Sequence, residues 1–390
     1  MHDLSELVGP LTTLRRDIHA HPELGFAEFR TAARIAQVLR DAGLDVTEGV
    51  GGTGVVGVLR AGTHEGDGTR SVGLRADMDA LPFDEQTGLP WASTTPGSFH
   101  GCGHDGHVAM LLGAAQALAK TRDFSGTINF MFQPAEEGQG GARAMIEDGL
   151  FDRFPCDRIY ALHNWPSLPA GTIATRAGPI MGAADKFRIT VTGGGGHAAL
   201  PHETTDALLA ATHLVQQLST IVSRNVASSS AAVLSVTQIH GGDVHNVIPA
   251  NVVVTGTVRT FDPVVQDRIE DRIRQIARGI EASFEVACAV DYGRYYPATI
   301  NDAQAAEDAL VVAASVGKAL RAPEPAATSE DFSFMLQERP GAYIWLGQGK
   351  GNDPAPLHNP FYDFNDDVLE LGIRLHIALA RHWLGETDSR

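Results

Sequence analysis

Several short stretches of this chain carry side chains that could hold a metal or move a proton. Cys102 and His104 lie in HGCGHDGH, Glu136 and Glu137 in QPAEEG, His163 in ALHNWP, and His358 in PLHNP. Each alone has an ordinary explanation as a turn former, a helix cap or a satisfied core histidine. Together they supply about the number and kinds of ligand that a two-metal hydrolytic site needs. A carboxylate is left over to handle protons.

Spacing adds detail. Cys102 and His104 are two apart with a glycine between, so both can turn toward one ion. A helix is expected to begin near Asp105, and its N-terminus would lower the thiol pKa and favour thiolate. The rival reading is a Cys102 nucleophile with a histidine base. Glu136 and Glu137 directly follow the apolar run FMFQPA, where carboxylates are costly unless something positive lies nearby. Adjacent side chains point different ways, so one can ligate while the other faces a water. Asp77 and Asp79 in LRADMDALP share a face by their period-2 spacing, and one could orient a histidine ligand.

The elements that must position these residues alternate in type. LSELVGPLTTLRRDIHAH and FRTAARIAQVLRDAGL have helical apolar spacing, while GTGVVGVLRAG and SVGLRADMDALP are short strand-like runs. VAMLLGAAQALAK reads as helix, and GTINFMFQ and DRIYALHNW as buried strands. This rhythm predicts an α/β fold, a mostly parallel sheet with helices on both faces. The candidate ligands then fall at strand carboxyl ends, where open α/β sheets bind ligands.

The pattern changes over residues 184–297. FRITVTG, TTDALLAATHLVQQLSTIV, AVLSVTQIHGG, NVVVTGTVRTF, VVQDRIEDRIRQIARGIEASF and EVACAVDYG read as strand, helix, strand, strand, helix, strand. That is an α+β sandwich, inserted into a larger domain formed by residues 1–183 and 298–390. The last part continues as helix (AEDALVVAASVGKAL), strand (AYIWLGQG), a Gly/Pro-rich loop (GQGKGNDPAP) and helix (DDVLELGIRLHIALARHWLG).

Composition bounds the partners. The 390 residues are 43% hydrophobic and 20% charged, with a formal net charge of -17. So negative a surface repels phosphate backbones and anionic lipid, which argues against nucleic acid and membrane partners. No basic and apolar secretory leader is visible, and the three cysteines are too few and odd in number for a disulfide framework. The cytoplasm is the expected compartment.

Longer motifs carry a resemblance. RRDIHAHPELGFAE, LRADMDALP, HGCGHDGHVAMLLGAA, FQPAEEGQGGARAMIEDG, ALHNWP, GGGGHAALPH, HNVIPANVVVTGTVRTFD and LHNPFYDFND occur in that order. They resemble the aminoacylase/carboxypeptidase family of di-metal amidohydrolases. Within it they look like the branch of hippurate hydrolase, auxin-conjugate hydrolase and N-acetyl-diaminopimelate deacetylase. The resemblance implies two divalent ions (Zn, Mn, Ni or Co) held by Cys102, His104, Glu137, His163 and His358. It implies Glu136 as general base and later proton donor to the leaving amine, and Asp79 as the supporting acid. His197, after four glycines, would polarise the scissile carbonyl, sometimes from a partner subunit; Asn246 and Arg259 would contact the substrate, Arg259 through its carboxylate. The inserted domain would be a lid and a dimerisation surface, giving a homodimer or homotetramer. The implied activity is metal-dependent hydrolysis of N-acyl-L-amino acids. N-acetyl-diaminopimelate deacetylation and dipeptidase or carboxypeptidase action are alternatives.

Overall fold

The computed structural model describes residues 4–62, 70–349 and 355–385. The chain divides into a larger unit, Met1–Ile180, Ile300–Glu324 and Asp331–Arg390, and a smaller one, Met181–Thr299 and Pro325–Glu330. The segment Pro325–Glu330, a short excursion within the C-terminal part, belongs with the smaller unit.

The first stretch runs α1 (Ser5–Ala20), α2 (Phe29–Asp41), β1 (Asp45–Val50), β2 (Gly54–Ala61), β3 (Ser71–Asp77), α3 (His104–Thr121), β4 (Gly126–Gln133), α4 (Gly141–Glu147), α5 (Leu150–Arg153), β5 (Arg158–Pro169), β6 (Thr172–Thr175) and β7 (Gly178–Met181). Then come β8 (Ala183–Thr192), β9 (Gly196–His197), α6 (Ala207–Leu218), α7 (Thr220–Asn225), β10 (Ala232–His240), β11 (Val247–Ile248), β12 (Asn251–Thr260), α8 (Pro263–Phe284) and β13 (Ala287–Tyr296). The chain ends with β14 (Thr299–Asn301), α9 (Ala303–Val316), β15 (Lys318–Arg321), α10 (Phe332–Glu338), β16 (Gly341–Gly349) and α11 (Leu369–Leu384).

The larger unit is built on one eight-stranded sheet, ordered β1-β2-β4-β3-β5-β16-β6-β15. Its centre is parallel: β4 on β3, β3 on β5, and β5 on β16. β1 and β2 extend it antiparallel at one edge. This is the α/β class expected from the alternating pattern. The chain leaves β3 through α3 to β4, then returns past β3 to β5, so the order reverses beside β3. Such a reversal leaves a crevice at the carboxyl ends of the strands. β4 is buried on both faces, as GTINFMFQ requires. Leu11 and Ile18 of α1, Leu111 and Leu118 of α3, and Ile373 and Leu379 of α11 join one apolar core. Each such burial is worth roughly 1.5–3 kcal/mol.

The smaller unit is a four-stranded antiparallel sheet, β10-β12-β8-β13, with a core of its own. β8 alternates cleanly: Phe187, Ile189 and Val191 are buried, while Lys186, Arg188 and Thr192 are exposed. Ile269, Ile273 and Ile280 of α8 recur at helical spacing and join the same core. Asp262 caps α8 by accepting from Val264 N–H, and Pro263 opens it.

The structure departs from the sequence pattern in a few places. The helix expected over AEDALVVAASVGKAL stops at Val316, because Gly317 is extended and Lys318–Arg321 pairs in parallel with β6. The strand expected over AYIWLGQG is β16, and residues 350–354 of the loop after it lie outside the described residues. β5 does not end near Trp165 but continues to Pro169.

Candidate metal centre

The donor residues reach one place from five segments. β3 ends at Asp77, and the chain continues through Asp79. Cys102 and His104 sit at the start of α3, separated by Gly103 with φ +90°. A Cβ on Gly103 would come within 2.4 Å of both Asn164 Oδ1 and Tyr362 Oη, so only glycine serves there. Glu136 and Glu137 follow β4, and His163 lies on β5, beyond Ala161, the last residue paired with β3. His358 precedes α11. Two non-glycine residues at this place, Ala135 and His358, hold positive φ of 51° and 63°. Strain of this kind persists where surrounding structure enforces it, commonly at functional sites.

The donors form overlapping sets. Cys102, Glu137 and His358 make one; His104, Glu136 and Glu137 another; Asp77, His104, His107 and His163 a third. His358 Nε2 lies 3.2 Å from Glu137 Oε1, and Cys102 Sγ 3.5 Å from His163 Nε2. His104 Nδ1–H donates to Asp79 O at 2.9 Å, and His163 Nδ1–H to Asn164 O at 2.7 Å. In their neutral forms both histidines therefore carry the ring proton on Nδ1 and present Nε2 as an acceptor, the tautomer a metal ligand needs. His104 Nε2 and Glu137 Oε1 are buried without a hydrogen-bond partner among the described residues. Buried polar atoms of this kind demand an explanation, and a cation between them provides one. Asp79 Oδ2 accepts from Glu137 N–H at 3.0 Å and so fixes the backbone of that ligand-bearing turn.

The electrostatics agree. Burial lowers the pKa of His104, yet Asp77, Asp79 and Glu137 outweigh it and lift it to about 10. Burial raises the Cys102 thiol well above its usual range, and Glu137, Glu136 and Asp77 raise it further. Burial and these carboxylates oppose the thiolate that the helix N-terminus was expected to favour. This also disfavours the nucleophile reading, which needs a depressed thiol pKa. The site has a surplus of negative potential that cations would neutralise, and its mixed sulfur, nitrogen and oxygen donors fit two divalent ions.

Residues 73–382 match the model of "Peptidase family M20/M25/M40". This chain belongs to peptidase family M20/M25/M40. Among relatives, it is 39% identical to thermostable carboxypeptidase 1 of Saccharolobus solfataricus, covering 97% of this chain and 96% of that one. It is 38% identical to the hippurate hydrolase of Campylobacter jejuni, covering 98% of each. Among solved structures, the Bacillus subtilis YXEP protein, described as a dinuclear metal-binding peptidase of the M20 family, superposes with a TM-score of 0.85. It is 31% identical and covers 98% of this chain and 99% of its own.

The sequence-predicted residues of this M20 protein fall into two groups. Asp79, Cys102, His104, Glu136, Glu137, His163 and His358 converge in the larger unit. His197, Asn246 and Arg259 lie in the smaller one. There β9 pairs with β11, with His197 opposite Val247, and Ala198 N–H donates to Asn246 O at 3.0 Å. His197 and Asn246 are thus neighbours, both exposed. Ala199 N–H donates to His197 Nδ1 at 3.0 Å, which places the ring proton of neutral His197 on Nε2. Arg259 is half-buried and donates from Nη1 to Thr257 Oγ1 and Val258 O. Among the described residues no carboxylate forms an ion pair with it.

Sequence reasoning missed a layer behind the donors. His107 Nδ1 meets Asp77 Oδ1 at 2.5 Å, and Arg75 Nη1 donates to Asp77 Oδ2 at 2.7 Å. Burial would raise Asp77, but His104, Arg75 and His107 hold it well below the usual carboxylate range. Asp331 accepts from Arg75, Gln133 and Ala142 N–H. Arg75 and His107 stood inside quoted motifs, but their burial is invisible without the fold.

Proposed function

We propose that this protein hydrolyses the amide bond of N-acyl-L-amino acids in a metal-dependent reaction, releasing a carboxylic acid and a free amino acid. The observation that carries the reading is the overlap of donor sets through His104 and Glu137, with Glu136 beside them. A relative with nearly full-length coverage is named hippurate hydrolase, which supports an acyl amino acid as substrate.

In this reading Cys102, His104, Glu137, His163 and His358 hold the two ions, of Zn, Mn, Ni or Co. When bound, they would acidify a water and polarise the amide carbonyl. Glu136 stands next to the ligand Glu137, takes the proton from the attacking water and returns it to the leaving amine. Asp79 fixes the Glu137 backbone and buttresses His104, which it approaches to 3.3 Å. His197 offers Nε2–H to the developing oxyanion, and Asn246 beside it contacts the substrate. Arg259, half-buried and without an ion-pair partner among the described residues, receives the substrate carboxylate.

The larger unit is assigned as the metal-binding catalytic domain and the smaller as a lid and dimerisation domain. β10 lies at the edge of the smaller sheet with Val233 and Ile239 exposed, a surface suited to pairing with another chain. This edge supports a homodimer or homotetramer through this unit. No helix among the described residues is long and apolar enough to cross a membrane. The unpaired cysteines support a cytoplasmic setting.

N-acetyl-diaminopimelate deacetylation is an alternative within the same chemistry. The relative named carboxypeptidase keeps a peptide-bond reading alive. A panel of N-acetyl, N-benzoyl and long-acyl amino acids, N-acetyl-diaminopimelate and dipeptides separates these, run with chelated protein and with each metal restored. Hydrolysis of acyl amino acids that chelation abolishes and metal restores is expected. Full activity after chelation would sink the reading.

A further inference from the structure

The N-terminal motif RRDIHAHPE takes no part in the reaction described above, yet its side chains lie directly behind the metal centre. Arg15 on α1 is fully buried. Its Nη1 donates to Asp105 Oδ2 at 3.2 Å, while Nε and Nη2 form a forked pair with Asp366 at 2.9 and 3.0 Å. One turn along the same helix, His19 Nδ1 meets Asp105 Oδ2 at 2.8 Å. Arg16 donates from Nη2 to Asp366 at 2.7 Å and lies over the Trp91 ring at 3.6 Å.

The two carboxylates belong to two of the ligand-bearing segments. Asp105 follows His104 in the first turn of α3. Asp366 closes the segment that begins at His358, and Asp363 within that segment lies 3.7 Å from Arg15 Nη1. The segments also touch at the site, where His358 N–H donates to Gly101 O at 2.9 Å. Burying a guanidinium is expensive, and an apolar residue of similar size often stabilises a core as well or better. What a fork adds over an apolar filler is fixed direction and distance to each carboxylate.

We propose that Arg15 is a positioning residue that, through Asp105 and Asp366, sets the spacing between the Cys102–His104 turn and the His358 segment, and with it the affinity for the ion between them. This rests on the ligand assignment above. Removing a hydrogen-bonding partner behind metal ligands costs about 10–100-fold in metal affinity.

The test strips the full-length protein with chelator and titrates it with Co2+. Calorimetry gives stoichiometry and affinity, and the near-ultraviolet thiolate-to-cobalt band reports the ion on Cys102. Wild type should take two ions; uptake of fewer defeats the ligand assignment itself. Arg15→Gln, folded by circular dichroism, should lose at least tenfold in affinity for the ion giving the thiolate band, with the other ion less affected. Arg30→Gln, which removes only the exposed pair with Asp17, should match wild type. Two ions bound by Arg15→Gln with wild-type constants and band, or equal loss at both sites, would overturn the inference and leave Arg15 a structural ion pair. If Arg15→Gln does not fold, Asp366→Asn decides. It keeps Arg15 and Asp105 and should show the same selective loss, and wild-type binding by it overturns the inference.

Discussion

The two units hold their candidate functional residues by opposite means. In the larger unit Asp79, Cys102, His104, Glu136 and His163 are buried, Glu137 is partly buried and only His358 is exposed. Three of them are pinned by a second polar group: His104 by the Asp79 carbonyl, His163 by that of Asn164, and Glu137 by Asp79. In the smaller unit His197 and Asn246 are exposed on a two-strand ladder, and Arg259 is held by a hydroxyl and a carbonyl. Burial makes charge interactions strong and mistakes expensive, which suits groups that must hold cations in fixed geometry. Exposure keeps a side chain free to meet a substrate, at the cost of weaker fixation.

The contrast can be broken by substitution. The largest effect is expected for Glu136→Gln. Turnover should fall by about a thousand-fold or more, with both metal ions retained by elemental analysis; near-normal turnover would remove Glu136 from the proton role. Next comes Asp105→Asn, which takes a counterion from Arg15 and His19 inside the core. A loss of about 3–5 kcal/mol in denaturant unfolding is expected; a loss under 1 kcal/mol would mean the buried pair is dispensable.

The same network gives a pH signature. Burial lowers the pKa of His19, but Asp105 prevails and raises it to about 9. The group therefore stabilises the fold fully below the unfolded histidine value of about 6.5, and that contribution is lost as pH rises through 9. Unfolding free energies at pH 6 and pH 9.5 should differ more for wild type than for His19→Gln; equal differences would contradict the assignment.

Gly106→Ala sharpens the packing side. Its Cβ would come within 2.2 Å of Phe364, so a loss of about 1–3 kcal/mol is expected from melting curves. The smallest of these effects belongs to the exposed unit. Arg259→Met should raise KM for acyl amino acids about tenfold, roughly 1.4 kcal/mol, with stability unchanged within about 0.5 kcal/mol. An equal KM rise for the matching acyl amino acid amides would show that Arg259 does not read the carboxylate.

Much of this was legible from residue order. The alternation of helical and strand periods gave the mostly parallel sheet, and the shift to FRITVTG and its successors marked the second sheet. The short strands Asp45–Val50, Thr172–Thr175 and Lys318–Arg321 were not legible, because four to six residues carry too little periodicity and their pairing is non-local. Cys102 shows the limit most clearly. Its place before a helix suggested an acidic thiol, while burial, and after it three carboxylates brought by other segments, push it the other way.

Local order by itself determined which side chains were available and on what kind of element each would sit. It supplied Gly103 for the left-handed turn between Cys102 and His104, the two adjacent glutamates after a buried strand, and the amphipathic pattern of α8. Only the tertiary structure decided which of these meet. Arg15 reaches Asp105 and Asp366 across 90 and 351 residues of chain. Burial and charge at such a meeting point depend on every segment that arrives there, and no window of neighbouring residues contains that information.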